Sequence, residues 1–371
     1  MTWLFVGAGV LLLLLVAYLL FLRMLGRRVV AVSRPRKVVE VHADGNAIVL
    51  PRSELTEARG SYGLWFGPEY REHAVIGDPL VGGGPVSRPV LSSTATLPAA
   101  PFTGQWTGHM QKGPDDLGRE WRDVVVPLAD GGTAPAWFFP ADSPSAPWAV
   151  HVQGIRTSRL VTLRAVEAAQ RAGLASLVIT YRGAGDGSPQ SASNLGLTEW
   201  ADLRDAVVYA RREGAPAVVV VAWSMGAGLA LELARREPQA VDNLVLICPA
   251  TNWREIVRHG GREAHLPRFV ADHAIALLGT PVLSRIVGLQ LPIDIEALNW
   301  TRAGSVTVPT LVVHSEGDRE IPFELSKAFA DAHPDVVTLV ETRPAPHGWE
   351  PNVDPEGFES ALELWLTRIQ N

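Results

Sequence analysis

The chain's 371 residues allow one large domain or two modest ones, and 47% hydrophobic with 19% charged residues suits a folded protein. A formal net charge of −6, with no basic block beyond the one after the first apolar segment, argues against a nucleic-acid binder. The single cysteine, Cys248, excludes an internal disulfide framework and reads as a buried strand thiol within Leu244-Val245-Leu246-Ile247-Cys248-Pro249.

Residues 3–22 are apolar and uncharged, and about 20 residues suffice for a helix to cross a bilayer core of roughly 30 Å. Trp3 falls where an interfacial aromatic belongs. No lysine or arginine precedes the stretch, whereas Arg23, Arg27, Arg28, Arg34, Arg36 and Lys37 follow it. A secretory signal carries its charges in the opposite order, with a small-residue cleavage site behind. Residues 1–28 are therefore expected to be a single-pass transmembrane anchor with the rest of the chain cytoplasmic; the competing reading is a cleaved signal peptide.

Residues 29–118 read as a β-rich leader. Val38–Val41 and Ala47–Leu50 flank an Ala43-Asp44-Gly45-Asn46 turn as a hairpin, and Ser61–Phe66 and His73–Ile76 are further strands. Gly82-Gly83-Gly84-Pro85 and Pro98-Ala99-Ala100-Pro101 are loops, and the leader carries no recognisable chemistry.

The character changes over 119–371. Trp121–Leu128 and Thr133–Phe139 form a hairpin across Asp130-Gly131-Gly132, and strands then alternate with helices. The expected strands are Trp148–Val152, Leu177–Tyr181, Ala217–Trp223, Leu244–Cys248, Thr310–His314 and Val336–Val340. The expected helices are Leu160–Ala172, Leu197–Arg212, one ending near Arg236, Glu324–Ala332 and Pro355–Ile369. This alternation predicts an α/β fold, a mostly parallel sheet with helices on both faces and the hairpin as an antiparallel edge. Residues 251–308 are too long for a loop and read as a helical cap insert whose apolar side walls a pocket.

In a parallel sheet, functional residues gather beyond the carboxyl ends of the strands. The run Ala217–Trp223 stops at Ser224, and a helical pattern starts at once through Met225-Gly226-Ala227-Gly228, the geometry of an exposed nucleophile. An N-capping serine is the plainer reading of that turn alone. However, Asp318 follows the strand ending at His314, and His347 follows the last strand. A hydroxyl needs a base to become a nucleophile, a histidine supplies one near neutrality, and a carboxylate fixes its tautomer. The backbone N–H groups of Met225 and Ile155 would bind the oxyanion. Glu316 and Glu320 are substitutes for Asp318; His333, at a helix end, reads as a cap. Arg156 would either grip an anionic substrate group or be solvated.

His151-Val152-Gln153-Gly154, Ala222-Trp223-Ser224-Met225-Gly226, His314–Pro322, Tyr181-Arg182-Gly183-Ala184-Gly185 and His347 together resemble the α/β-hydrolase superfamily of serine hydrolases, from about Trp121 to the C-terminus. Within it the chain is similar to membrane-anchored hydrolases of high-GC bacteria. Gln153 stands where the family usually has histidine, and Ala222 replaces the first glycine of the turn. The resemblance implies the α/β-hydrolase fold and a Ser224-His347-Asp318 triad acting through an acyl-enzyme on small-molecule or lipid-derived esters or thioesters. A serine peptidase of the prolyl-oligopeptidase or aminopeptidase-like branches shares that triad, and a non-catalytic, ligand-binding member of the fold is a third reading. No cofactor is implied: neither an H-E-x-x-H metal motif nor a G-x-x-x-x-G-K phosphate loop occurs.

Overall fold

A computed structural model of the protein describes residues 2–33, 37–80, 82 and 84–369; Arg34, Arg36, Gly83 and the side chain of Trp3 lie outside the described residues. The first element, α1 (Thr2–Val30), contains a span, Phe5–Val30, long and apolar enough to cross a membrane, with a mean hydropathy of 2.8 over 18 of its residues. Its side chains from Phe5 to Ala17 are exposed, whereas Leu22 and Val30 are buried.

Six antiparallel strands then close into a barrel: β1 (Val38–Asp44), β2 (Ala47–Leu50), β3 (Tyr62–Phe66), β4 (Glu72–Ile76), β5 (Val86–Ser93) and β6 (Phe102–Thr107). A short helix, α2 (Glu54–Glu57), follows β2 and is opened by a Ser53–Thr56 capping box. The β1–β2 hairpin pairs Asp44 with Ala47 across the expected turn, and closure comes from β1 on β6, Val38 opposite Gln105 through Val41 opposite Phe102. Closure leaves no free edge. Alternate residues fill the interior, among them Val41, Ile48, Leu64, Ile76 and Trp106. Arg88 is fully buried there, its guanidinium donating to the carbonyls of Thr56, Ala58, Gly60 and Gly77 and lying 4.9 Å from the Tyr62 ring centre.

The second body is an eight-stranded sheet of β7 (Arg122–Pro127), β8 (Thr133–Phe139), β9 (Trp148–Val152), β10 (Ala175–Ile179), β11 (Val218–Trp223), β12 (Asn243–Ile247), β13 (Thr310–Ser315) and β14 (Val337–Thr342). Its order is β14-β13-β12-β11-β9-β10-β8-β7; β9 to β14 run parallel, and the β7–β8 hairpin supplies the antiparallel edge, as expected. Every residue of β9, β10, β11 and β13 is buried, as strands covered on both faces require. The helices α3 (Leu163–Arg171), α4 (Trp200–Arg212) and α5 (Met225–Arg236) cover the sheet, with α10 (Pro355–Thr367) packed beside α3.

Several boundaries differ from expectation. The helix expected from Leu197 begins at Trp200, because Leu195 and Gly196 adopt left-handed backbone and Glu199 accepts from the amides of Asn194 and Gly196. The turn 159–162 before α3 is 3₁₀. Cys248 lies one residue beyond β12, at φ 42°, rather than inside the strand.

Between β12 and β13 the cap contains α6 (Trp253–Glu263), α7 (Arg268–Gly279) and a 3₁₀ turn, Leu283–Val287. It packs on the inner end of α1: Tyr18 Oη is 2.7 Å from His273 Nδ1, Arg23 Nε donates to the Ile286 carbonyl at 3.1 Å, and Gly26 faces Leu277, Leu278 and Val287. After β13 come α8 (Phe323–Ala332), which ends at the buried His333, and, beyond β14, the one-turn α9 (Glu350–Val353).

Candidate active site

Ser224 stands between β11 and α5 at φ 52°, ψ −118°, a conformation that side chains other than glycine's rarely adopt and that marks strain held by its surroundings. The turn is pinned to β12 and to the loop after it: Ser224 N–H donates to Ile247 O at 2.9 Å, and Ala250 N–H donates to Ser224 O at 3.1 Å. Close approach demands glycine twice. A Cβ at Gly226 would lie 2.7 Å from the Gln153 carbonyl oxygen, and one at Gly154 would lie 2.9 Å from Ser224 Cβ. Ala222 is fully buried in the strand, so its methyl does not obstruct the turn.

Asp318 and His347 converge on this serine. His347 Nε2 is 2.9 Å from Ser224 Oγ, and His347 Nδ1 is 2.6 Å from Asp318 Oδ2. Ser315 joins the two loops, its hydroxyl accepting from Gly317 N–H and Ala345 N–H. Glu316 and Glu320 are exposed, so Asp318 is the acid that reaches the imidazole. His333 stays apart, bonded to Phe329 O and Ser305 Oγ.

Asp318 is 5% exposed, yet its carboxylate is well supplied with donors. Oδ1 accepts from the amides of Glu320 and Ile321, and Oδ2 accepts from both His347 and His314. Burial alone would raise its pKa, but the charge and hydrogen bonds of His347 and His314 outweigh it and hold the group well below the usual carboxylate range. For His347, burial favours the neutral ring and the Asp318 charge opposes it, leaving the imidazole above its ordinary value. Cys248 lies within 4.8 Å of this pair, and burial pushes its thiol up to about 12, so it stays protonated. Glu350, at the start of α9, is fully buried; neither carboxylate oxygen has a hydrogen-bond partner among the described residues, and burial followed by the Asp318 charge raises it to about 8.

Met225 is the first residue of α5, where an amide has no intrahelical acceptor. Ile155 lies opposite, on a loop held by a 2.9 Å bond from Tyr181 Oη to Gly154 O, and shares a cavity with Ser224. Gln153 is buried before that loop, with both side-chain polar atoms unpartnered among the described residues. Arg156 lines the cavity that holds Ser224 and is not fully solvated; at φ 63°, it donates to Val29 O in α1 at 3.2 Å.

Two cavities meet at Ser224 and His347. The larger, about 470 Å³, lies under the cap, where Trp253, Ile256 and Val257 face Leu25, Arg28 and Val29 of α1. The smaller, about 140 Å³, is lined by Gly108, His109 and Gln111 from the barrel exit and by Trp349. The barrel also grips the segment after His347. Trp349 packs 4.7 Å from the Tyr62 ring, and Asn352 Nδ2 donates to Ser61 O and Gly108 O at 2.7 and 2.9 Å.

A model of the Alpha/beta hydrolase family matches residues 156–361, more than half of the sequence. The chain belongs to the alpha/beta hydrolase family. A second model, a domain of unknown function (DUF8805), matches residues 37–107, the barrel. Among solved structures, the esterase Pf2001 of Pyrococcus furiosus is similar at 20% identity and TM-score 0.54, covering 70% of this chain and 96% of its own. Est1E of Butyrivibrio proteoclasticus, with ferulic acid bound, is similar at 18% identity and TM-score 0.50, covering 67% and 100%. These likenesses show the fold. No curated protein matches the sequence.

Residues beyond the sequence-derived set also face the site. His314 and Ser315 belong to the segment that carries the resemblance, but their place at a buried strand end signals no role for either, and Glu350 follows the late histidine with no signal of its own. Leu25, Arg28 and Val29 sit where the apolar segment gives way to its flanking arginines; only the arginine showed there, as a topology signal.

Proposed function

We propose that this alpha/beta hydrolase is a membrane-anchored serine hydrolase that cleaves carboxylic esters or thioesters. The observation that carries the reading is the continuous Ser224–His347–Asp318 hydrogen-bonded chain at the junction of two cavities. Ser224 Oγ attacks the ester carbonyl while His347 Nε2 takes its proton; Asp318 holds the proton-bearing Nδ1 and stabilises the imidazolium. The tetrahedral oxyanion lies against the Met225 and Ile155 amides, and each such donor is worth about 2.7–4 kcal/mol of barrier. Collapse expels the alcohol or thiol, which takes the proton from His347. Water, deprotonated by the same ring, then attacks the acyl-enzyme and returns Ser224.

In this reading α1 is the anchor, supported by its membrane-length apolar run, and the excess of arginines behind that run favours a cytoplasmic catalytic body. Hydrolysis of p-nitrophenyl esters with covalent labelling by a fluorophosphonate tests the reading. Wild type should label and Ser224→Ala should not; equal labelling of the two would overturn it.

A further inference from the structure

The apolar run of α1 ends at Leu22, before Arg23, yet the cap meets the helix a full turn earlier, at the 2.7 Å contact of Tyr18 with His273. One turn is about 5.4 Å of helix. Opposite that contact, Leu19 and Leu20 remain 44% and 57% exposed. The last turn of the apolar run is therefore shared, lined by the cap on one side and open on the other.

α7 runs in the same direction as α1, since His273 meets Tyr18 and Leu277 and Leu278 meet Gly26. Its first turn consequently projects back along the apolar run. Phe269 is there, its ring 5.8 Å from His273, and it is 55% exposed. On the neighbouring turn, Ile286, tied to Arg23 through its carbonyl, is 47% exposed and Val282 74%. Three large apolar side chains thus stand exposed on the cap elements that pack against the C-terminal half of a membrane-length helix. The next turns of α1 carry Leu25 and Val29, which line the cavity containing Ser224.

We infer that the cap edge of Phe269, Val282 and Ile286 is seated in the bilayer interface beside α1, and that the 470 Å³ cavity draws a long-chain acyl ester directly from the membrane along Leu25 and Val29. This rests on Ser224 being the nucleophile only for its delivery part; the seating stands apart from it. An interfacial seat removes exposed apolar area from water and spares an amphiphile the passage through water. Leu25 and Val29 are thereby substrate-contacting residues as well as part of the anchor.

The test uses the full chain in phosphatidylcholine vesicles. Single cysteines from Phe269→Cys, Ile286→Cys and, as control, exposed Gln239→Cys beyond the far end of α5 take a bimane label, Cys248 being buried. Nitroxide lipids should quench the first two at least threefold more than the control. Equal quenching at all three would overturn the seating, and so would labels at 269 and 286 shielded from both lipid and aqueous quenchers, which would assign the face to another protein. In the second arm, Phe269→Asp with Ile286→Asp should lower hydrolysis of a vesicle-borne long-chain p-nitrophenyl ester at least tenfold and leave fluorophosphonate labelling in detergent unchanged. Unchanged vesicle activity would overturn delivery. Failure of wild type to label would sink the hydrolase reading without touching the quenching result.

Discussion

His314 Nε2 lies 3.0 Å from the same Asp318 oxygen that His347 Nδ1 approaches at 2.6 Å. His314 is held in turn by Ser326, whose hydroxyl is 2.8 Å from its Nδ1. The acid of the candidate triad is therefore fixed from behind by a buried imidazole whose second nitrogen is already committed. Removing a hydrogen bond to a charged group costs about 1.5–3 kcal/mol. His314→Ala should lower kcat about 10- to 100-fold with little change in KM, measured on a soluble p-nitrophenyl ester.

The Asp318 charge is also what raises His347. A base must be neutral to accept the Ser224 proton, so activity should be absent below the pKa of His347 and rise as pH passes through it. Asp318→Asn removes the raising charge and leaves burial to lower the imidazole, so the acid limb of kcat/KM should move to lower pH while the rate falls by about 10⁴-fold. A limb that stays in place would show that another group sets it.

Glu350 titrates in the opposite sense to a salt-bridged acid. Below its ordinary value of 4.5 both folded and unfolded chains hold the proton; between there and about 8 only the folded chain does. Stability therefore falls as pH rises across that window and levels off above it. Glu350→Gln keeps the neutral shape and removes the penalty, up to roughly 5 kcal/mol at pH 8 on a scale of about 1.4 kcal/mol per unit. The gain should appear as a higher Tm at pH 8 than at pH 5, with activity at pH 7 retained.

Arg88 donates to four carbonyls, those of Thr56 and Gly77 buried and those of Ala58 and Gly60 half-buried, with no carboxylate bonded to it among the described residues. Arg88→Met strands those acceptors, at about 1–3 kcal/mol each for the ones water cannot reach. Because Trp349 and Asn352 are held by this barrel, activity of the variant on heating should be lost before the tryptophan signal of the larger sheet.

How much of this was legible depended on whether a residue's role was local. Buried valine runs and the breaks after them placed Ser224, Asp318 and His347, since each ends a strand in the required order. The sheet and its antiparallel edge followed from the same periodicity. Barrel closure did not, because β1 meets β6 about 60 residues away and each hairpin looks the same whether open or closed. Arg88 lies in a stretch where no strand was expected and nothing marked it as a buried donor, while His314 read as one more member of a covered strand. The apolar run around Tyr18 and Leu22 carried no mark of which side would meet lipid and which the cap.

Gly60 has φ 99°, and a Cβ there would lie 1.7 Å from the carbonyl oxygen of Asn352. Nothing in a freestanding barrel requires bareness at that point, and nothing in a freestanding hydrolase requires tryptophan and asparagine two and five positions after the histidine. The pairing of Gly60 with His347-Gly348-Trp349-Glu350-Pro351-Asn352 is thus a fingerprint readable in genomes. Chains that keep it should carry both bodies joined in this way, and hydrolases that lost the barrel should show those positions drifting independently.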